Sequence, residues 1–253
     1  MNRFLHSAVS CAFWVSLGTS AAATQIVVAR TDGGFWAATN STRGNGTQAC
    51  KLHYTGRKLL LMAAQPVGIR IHRQDGSSES VFDLDNDLWS VLRPELSGDQ
   101  LMAEARKLIV ERIQQFAPEI RDSHTSRIEF HLVLLSADAS EPKMWIQTIR
   151  FSPDNLTAPR IETREYTPEL NSWIVWAGTK QPRWFAHKVN LHSIHKVLKQ
   201  TAADGKASRT HGFDPPFVVV GLNSNGLQHI EGDLAPCTSA HPIVNGSEVS
   251  KDQ

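Results

Sequence analysis

The chain has 253 residues, 41% of them hydrophobic and 20% charged, and its 26 Lys+Arg against 25 Asp+Glu leave a formal net charge of +1. That is apolar material for one large or two small globular domains, and it excludes wholesale disorder. Balanced charge removes any global attraction to nucleic acid or to an anionic membrane surface, and 16 Gly with 12 Pro exclude collagen-like and low-complexity classes.

Residues 1–23 have the layout of a secretory signal peptide: Arg3, an apolar stretch from about Ala8 to Leu17, then small residues with Ala21 and Ala23 at the positions read by signal peptidase. The stretch falls short of the roughly 20 apolar residues that span a bilayer, and no other segment reaches that length. The sequence therefore predicts cleavage after Ala23, a secreted or periplasmic protein, and no membrane span once the leader is gone. Cys11 leaves with the leader, so Cys50 and Cys237 remain. An oxidising compartment allows a Cys50–Cys237 disulfide, and two separate thiols are the other reading.

Cleavage would make Thr24 the first residue. A threonine hydroxyl is a weak nucleophile until a base stands beside it, and a free α-amine on the same residue provides one. The reference pKa of that amine, about 7.7–8.0, lies near working pH. The leader would then be the blocking group, and export would activate the enzyme.

Gln25 to Arg30 reads as a buried strand, Asp32-Gly33-Gly34 as a hairpin turn, and Phe35 to Asn40 as the returning strand. A polar loop, Ser41 to Gln48, leads into Ala49 to Tyr54, and Gly56-Arg57 turns the chain into the apolar strand Lys58 to Ala64. Short strands in succession predict an antiparallel sheet.

On these residues the chain resembles the proteasome β-subunit and its bacterial relatives, the N-terminal-nucleophile (Ntn) hydrolases. The resemblance rests on Thr24 opening a strand, on the Asp32-Gly33-Gly34 turn, on Asn40 sixteen residues after Thr24, and on Lys51. It implies a catalytic set of Thr24, Asn40 and Lys51, with Lys51 tuning the α-amine. Asn40 stands where the family has an aspartate, so the partner of Lys51 is a neutral amide. The family's oxyanion glycine is replaced as well: Ala63-Ala64-Gln65-Pro66 occupies that stretch, and a backbone N–H of Ala64 or Gln65 would serve where Pro66 has none. The resemblance further places Gly178 and Thr179 in the loop that supports the nucleophile's amine.

Farther along, Val67 to Ser80 reads as polar and turn-rich. Asp83 to Asp87 has calcium-loop spacing, but Leu88 takes the place of the required glycine, and an acidic helix start is the better reading. Ser97 with Gln100 forms a capping-box pattern ahead of a helix whose apolar face is Leu101, Ala105, Leu108, Ile109, Ile113 and Phe116. Arg127 to Leu135, Met144 to Phe151, Arg160 to Tyr166 and Ser172 to Ala177 read as strands, with Asp138 to Pro142 and Pro153 to Pro159 as turns. Leu191, Ile194, Val197 and Leu198 mark a second long helix ending near Asp204-Gly205. A terminal hairpin of Pro216 to Leu222 and Leu227 to Ile230 follows.

This order predicts an α+β fold, a four-layer αββα sandwich of two antiparallel sheets faced by helices, over residues 24–233, with 234–253 as a tail. His187, His192 and His195 read as a solvated helix face, so no metal is expected, and no phosphate-cofactor fingerprint occurs. No cofactor of any kind is predicted. Sequons at Asn40, Asn45, Asn155 and Asn245 are glycan acceptors only in a host that glycosylates, and a sugar on Asn40 is incompatible with the site. The expected activity is amide hydrolysis on a peptide or small amide by a monomer or small homo-oligomer. The alternative is a proteasome-like scaffold that has lost catalysis.

Overall fold

Strands with two apolar faces need cover on both, and this chain supplies it by stacking one sheet on another and placing helices outside. The computed structural model describes residues 25–40, 51–65, 68–72, 78–122, 128–137, 142–167, 169, 172–177, 183–186, 192, 194–196, 199 and 217–232. The leader, Thr24, Cys50, Gly178, Thr179, His187, Cys237 and the tail lie outside them.

In chain order the strands are β1 (Gln25–Thr31), β2 (Gly34–Asn40), β3 (Leu52–Thr55), β4 (Lys58–Gln65), β5 (Gly68–His72), β6 (Ser78–Asp83), β7 (Ile128–Ser136), β8 (Lys143–Ser152), β9 (Asn155–Tyr166), β10 (Ser172–Ala177), β11 (Arg183–Ala186), β12 (Phe217–Asn223) and β13 (Gly226–Glu231). The helices are α1 (Leu84–Asp87), α2 (Gly98–Gln115) and α3 (Ala117–Asp122), with a 3-10 turn over Leu88–Val91. One antiparallel sheet runs β11-β10-β1-β2-β12-β13 and the other β3-β4-β7-β8-β9, while β5 and β6 form a separate hairpin.

Alternation along the strands sorts the core into layers. Leu59 and Leu61 of β4, Val133 and Leu135 of β7, and Met144 and Ile146 of β8 meet Ile26, Val28, Phe35 and Ala37 between the two sheets. Their neighbours Leu60, Met62, Phe130, Leu132, Leu134, Trp145 and Ile149 face the opposite way and bury against Leu101, Ala105, Ile109 and Ile113 of α2. On the far side of the six-stranded sheet, Val27, Ala29, Ala38 and Val219 pack with Ile194, a helical residue. Two antiparallel sheets stacked face to face, with α2 packed against the five-stranded one, are therefore present, as an α+β sandwich requires.

The capping box is formed as expected: Gln100 N donates to Ser97 Oγ, and Ser97 N donates to Gln100 Oε1 at 2.8 Å. Four of the six expected apolar positions of α2 are buried, and Leu108 and Phe116 are half-buried at the rim of the same cluster. Gly34 has a left-handed φ of 152°, and a Cβ there would meet Leu222 O at 2.0 Å, so the turn between β1 and β2 requires glycine where it passes β12.

Several stretches depart from the sequence reading, among them the short helix α3 that follows Phe116. The segment read as polar and turn-rich holds the β5–β6 hairpin; Ile69 and Ile71 alternate with Arg70 and His72, a short period-2 signal outweighed by the polar residues around it. Pro153 to Pro159 was expected to be a turn, yet β9 begins at Asn155; Pro159 is tolerated because β9 is an edge strand. The four-residue strand β11 was not anticipated, being too short for a period to register. No helix among the described residues is long and apolar enough to cross a membrane.

Candidate functional site

The start of β1 lies inside its sheet, between the ends of two neighbours. Gln25 pairs with Ala177 of β10 on one side, and Ile26 pairs with Thr39 of β2 on the other. Asn40, one residue past that Thr39 pair, ends β2 and is paired across its other edge with Phe217 of β12. The ladder thus brings together the residue after Thr24, the residue before Gly178, and Asn40.

Lys51 joins this corner from the other sheet. It directly precedes β3, whose Leu52 pairs with Leu61 of β4. Lys51 Nζ donates to Asn40 Oδ1 at 3.3 Å, and both residues are buried, Asn40 at 0% and Lys51 at 6% exposure. Two residues eleven apart in sequence, one from each sheet, thus share a buried polar contact. A buried ammonium is costly to desolvate and is kept where neighbours accept its hydrogen bonds. Full burial also leaves no room for a glycan on Asn40 in the folded chain.

Past the level of Lys51, β4 continues to Gln65. Ala63 pairs with His131, Ala64 with Phe130 and Gln65 with Glu129 of β7. Counting along the ladder, Lys51 stands level with Met62, so the Ala64–Gln65 backbone lies about 7–10 Å further along, at about 3.4 Å per residue.

On the far flank is a charged group that the sequence reading passed over. Glu129 and His131 share the face of β7 that bears Val133 and Leu135, the face between the sheets, and each is only 3% exposed. Glu129 Oε1 accepts from Arg150 Nε at 2.8 Å. His131 Nε2 lies 3.2 Å from the same oxygen, within ion-pair distance but without hydrogen-bond geometry, and His131 Nδ1 is 3.0 Å from Thr148 Oγ1. The signal was present in the sequence: Glu129 and His131 stand at alternate positions of an otherwise apolar strand, where polar side chains need specific partners.

Of the residues singled out from the sequence, Asn40 and Lys51 are in contact, and Ala64 and Gln65 lie on the adjacent strand end. The histidine face has a partner that was not foreseen: His195 Nε2 is 3.0 Å from Glu231 Oε2 of β13. That is one imidazole and one carboxylate, and no group of three or more metal-ligating residues occurs among the described residues. No protein-family model matches the chain, and no curated protein matches it.

Proposed function

We propose that the chain is a secreted or periplasmic N-terminal-threonine amide hydrolase of the Ntn type, most simply a peptidase, activated when its leader is removed after Ala23. The observation that carries this reading is the buried Lys51–Asn40 hydrogen bond of 3.3 Å at the corner where β1 begins. Lysine is rarely buried, and here it is buried against the end of β2, level with the start of β1, which Thr24 directly precedes in sequence.

In this reading the Thr24 Oγ attacks the substrate carbonyl carbon while the α-amine takes the hydroxyl proton. The oxyanion is held by a backbone N–H at Ala64 or Gln65. The proton then passes to the leaving amine as the C–N bond breaks, leaving a Thr24 ester. Water, activated by the same amine, cleaves that ester and restores the hydroxyl. Lys51 keeps positive charge near the amine and so favours its neutral, proton-accepting form. Gly178 and Thr179 follow Ala177, the partner of Gln25, in the order expected of a loop supporting the amine. No metal or cofactor enters these steps, and a monomer or small homo-oligomer suffices.

One feature favours a second reading, a scaffold without catalysis: Asn40, which accepts from Lys51, is an amide at the position where the resemblance implies a carboxylate. The test separates the two. N-terminal sequencing of the exported protein should begin at Thr24, and a β-lactone probe should acylate Thr24 in the mature protein but not in a Thr24→Ala variant. A mature chain that keeps residues ahead of Thr24, or one that starts there and stays unlabelled, would move the conclusion to the scaffold.

A further inference from the structure

We propose that Arg150, held by the buried Glu129, is the recognition residue for a carboxylate on the substrate; the inference rests on the hydrolase reading above. Three observations lead to it.

The first is position. Glu129 and Arg150 form a cross-strand pair on the face between the sheets, and Glu129 pairs in turn with Gln65 at the end of β4. Arg150 therefore stands three strands across from Lys51, about 14 Å at 4.8 Å per strand, and about 10 Å further along. A peptide of about five extended residues spans that distance. The Ala64–Gln65 backbone lies between the two ends.

The second is how the guanidinium is held. Its Nε is fixed on a carboxylate that is 3% exposed, while the Arg150 side chain itself is 38% exposed. The bond to Glu129 through Nε restrains the plane of the fork, and Nη1 makes a longer contact of 3.4 Å with Glu162 Oε1, which is itself 39% exposed. A planar guanidinium held in this way is suited to bidentate contact with a carboxylate.

The third is a charge arrangement that folding does not favour. Arg150 is directly opposite Arg160 of β9, and like charges in a cross-strand pair destabilise a sheet. Glu162 lies between them, 3.0 Å from Arg160 Nη2, yet Arg164 adds another positive charge to the same face two residues on. Among the described residues of this flank, Arg150, Arg160 and Arg164 stand against Glu129 and Glu162, one more cation than anions. An acidic side chain or a chain-terminal carboxylate is the ligand that such a flank attracts.

The experiment measures hydrolysis by the mature protein of fluorogenic peptides carrying Glu, Gln or Lys four or five residues from the cleaved bond, with Thr24 labelling by an uncharged β-lactone as a parallel readout. The parent should prefer Glu over Gln by about tenfold in kcat/KM, mostly through KM. Arg150→Met should remove the preference without slowing Thr24 labelling, and Arg150→Glu should shift it toward Lys. Because Arg150→Met leaves Glu129 buried without its cation, the double variant Glu129→Gln/Arg150→Met is measured as well and should behave alike. A parent that labels at Thr24 but shows no preference, or a preference surviving in the double variant, overturns the inference and leaves the hydrolase standing. A parent that is not labelled at Thr24 overturns both.

Discussion

Gly98 is the first residue of α2, and an added methyl there sets two effects of opposite sign against each other. Replacing glycine by alanine in a helix gains up to about 1 kcal/mol, less at the first position, where the backbone is only half constrained. In this fold, however, a Cβ on Gly98 would stand 2.4, 2.6 and 2.7 Å from three ring carbons of Trp145. Carbon atoms in contact prefer about 3.5–4.0 Å, so the ring or the helix start has to move by about 1 Å. Trp145 is 6% exposed and packed within the α2-facing cluster, which leaves the ring little space to turn. Overpacking of this kind costs about 1–3 kcal/mol, and the net expectation for Gly98→Ala is a loss of about 1–2 kcal/mol. Urea unfolding followed by both circular dichroism and tryptophan fluorescence should show the midpoint falling by roughly 0.5–1 M. A double-mutant cycle identifies the cause: in a Trp145→Leu background, Gly98→Ala should be neutral or stabilising. If Gly98→Ala stabilises the intact chain, or costs as much without the indole as with it, the steric argument is wrong.

Two other outcomes follow from the structure. Lys51→Met removes the buried cation beside Asn40 and should slow Thr24 acylation by about a hundredfold or more with the fold retained, whereas Asn40→Asp, which keeps an acceptor at that place, should label and shift the pH profile toward the charged form of Lys51; equal labelling of Lys51→Met and the parent would reduce the pair to a structural role. Burial raises the Tyr54 hydroxyl above its ordinary value of 10.0, so below pH 10 its contribution to stability is complete, and above it the unfolded chain ionises first and stability falls. Unfolding free energies measured from pH 9 to 11 should decline less in Tyr54→Phe than in the parent, and identical slopes would show that the hydroxyl is not the group responsible.

Elements that a local pattern specifies were legible in the sequence. The capping box at Ser97 and Gln100, the apolar face of α2, and the hairpins around Asp32-Gly33-Gly34 and Ser224-Asn225-Gly226 each depend on residues within one or two turns of each other, where side-chain period and turn chemistry act directly. The sandwich followed from the order of those elements, since each exposes an apolar face that only another layer can cover. Asn40 and Lys51 were also named from the sequence, through a family likeness and not through any local rule.

Tertiary structure alone decided the rest, because it depends on pairings that carry no local signature. Which strand lies beside β1, and in what register, sets Gln25 against Ala177 and brings Asn40 to that corner. A one-residue slip in β7 would turn Glu129 and His131 from the space between the sheets to the helix side. The strands β5 and β11 span only five and four residues, too few for a side-chain period to stand out from its surroundings, and β5 and β6 are defined by pairing with each other. The charged flank of Glu129, Arg150 and Glu162 joins residues from three strands. Their types were visible one by one, but their nearness is a property of the closed sheet.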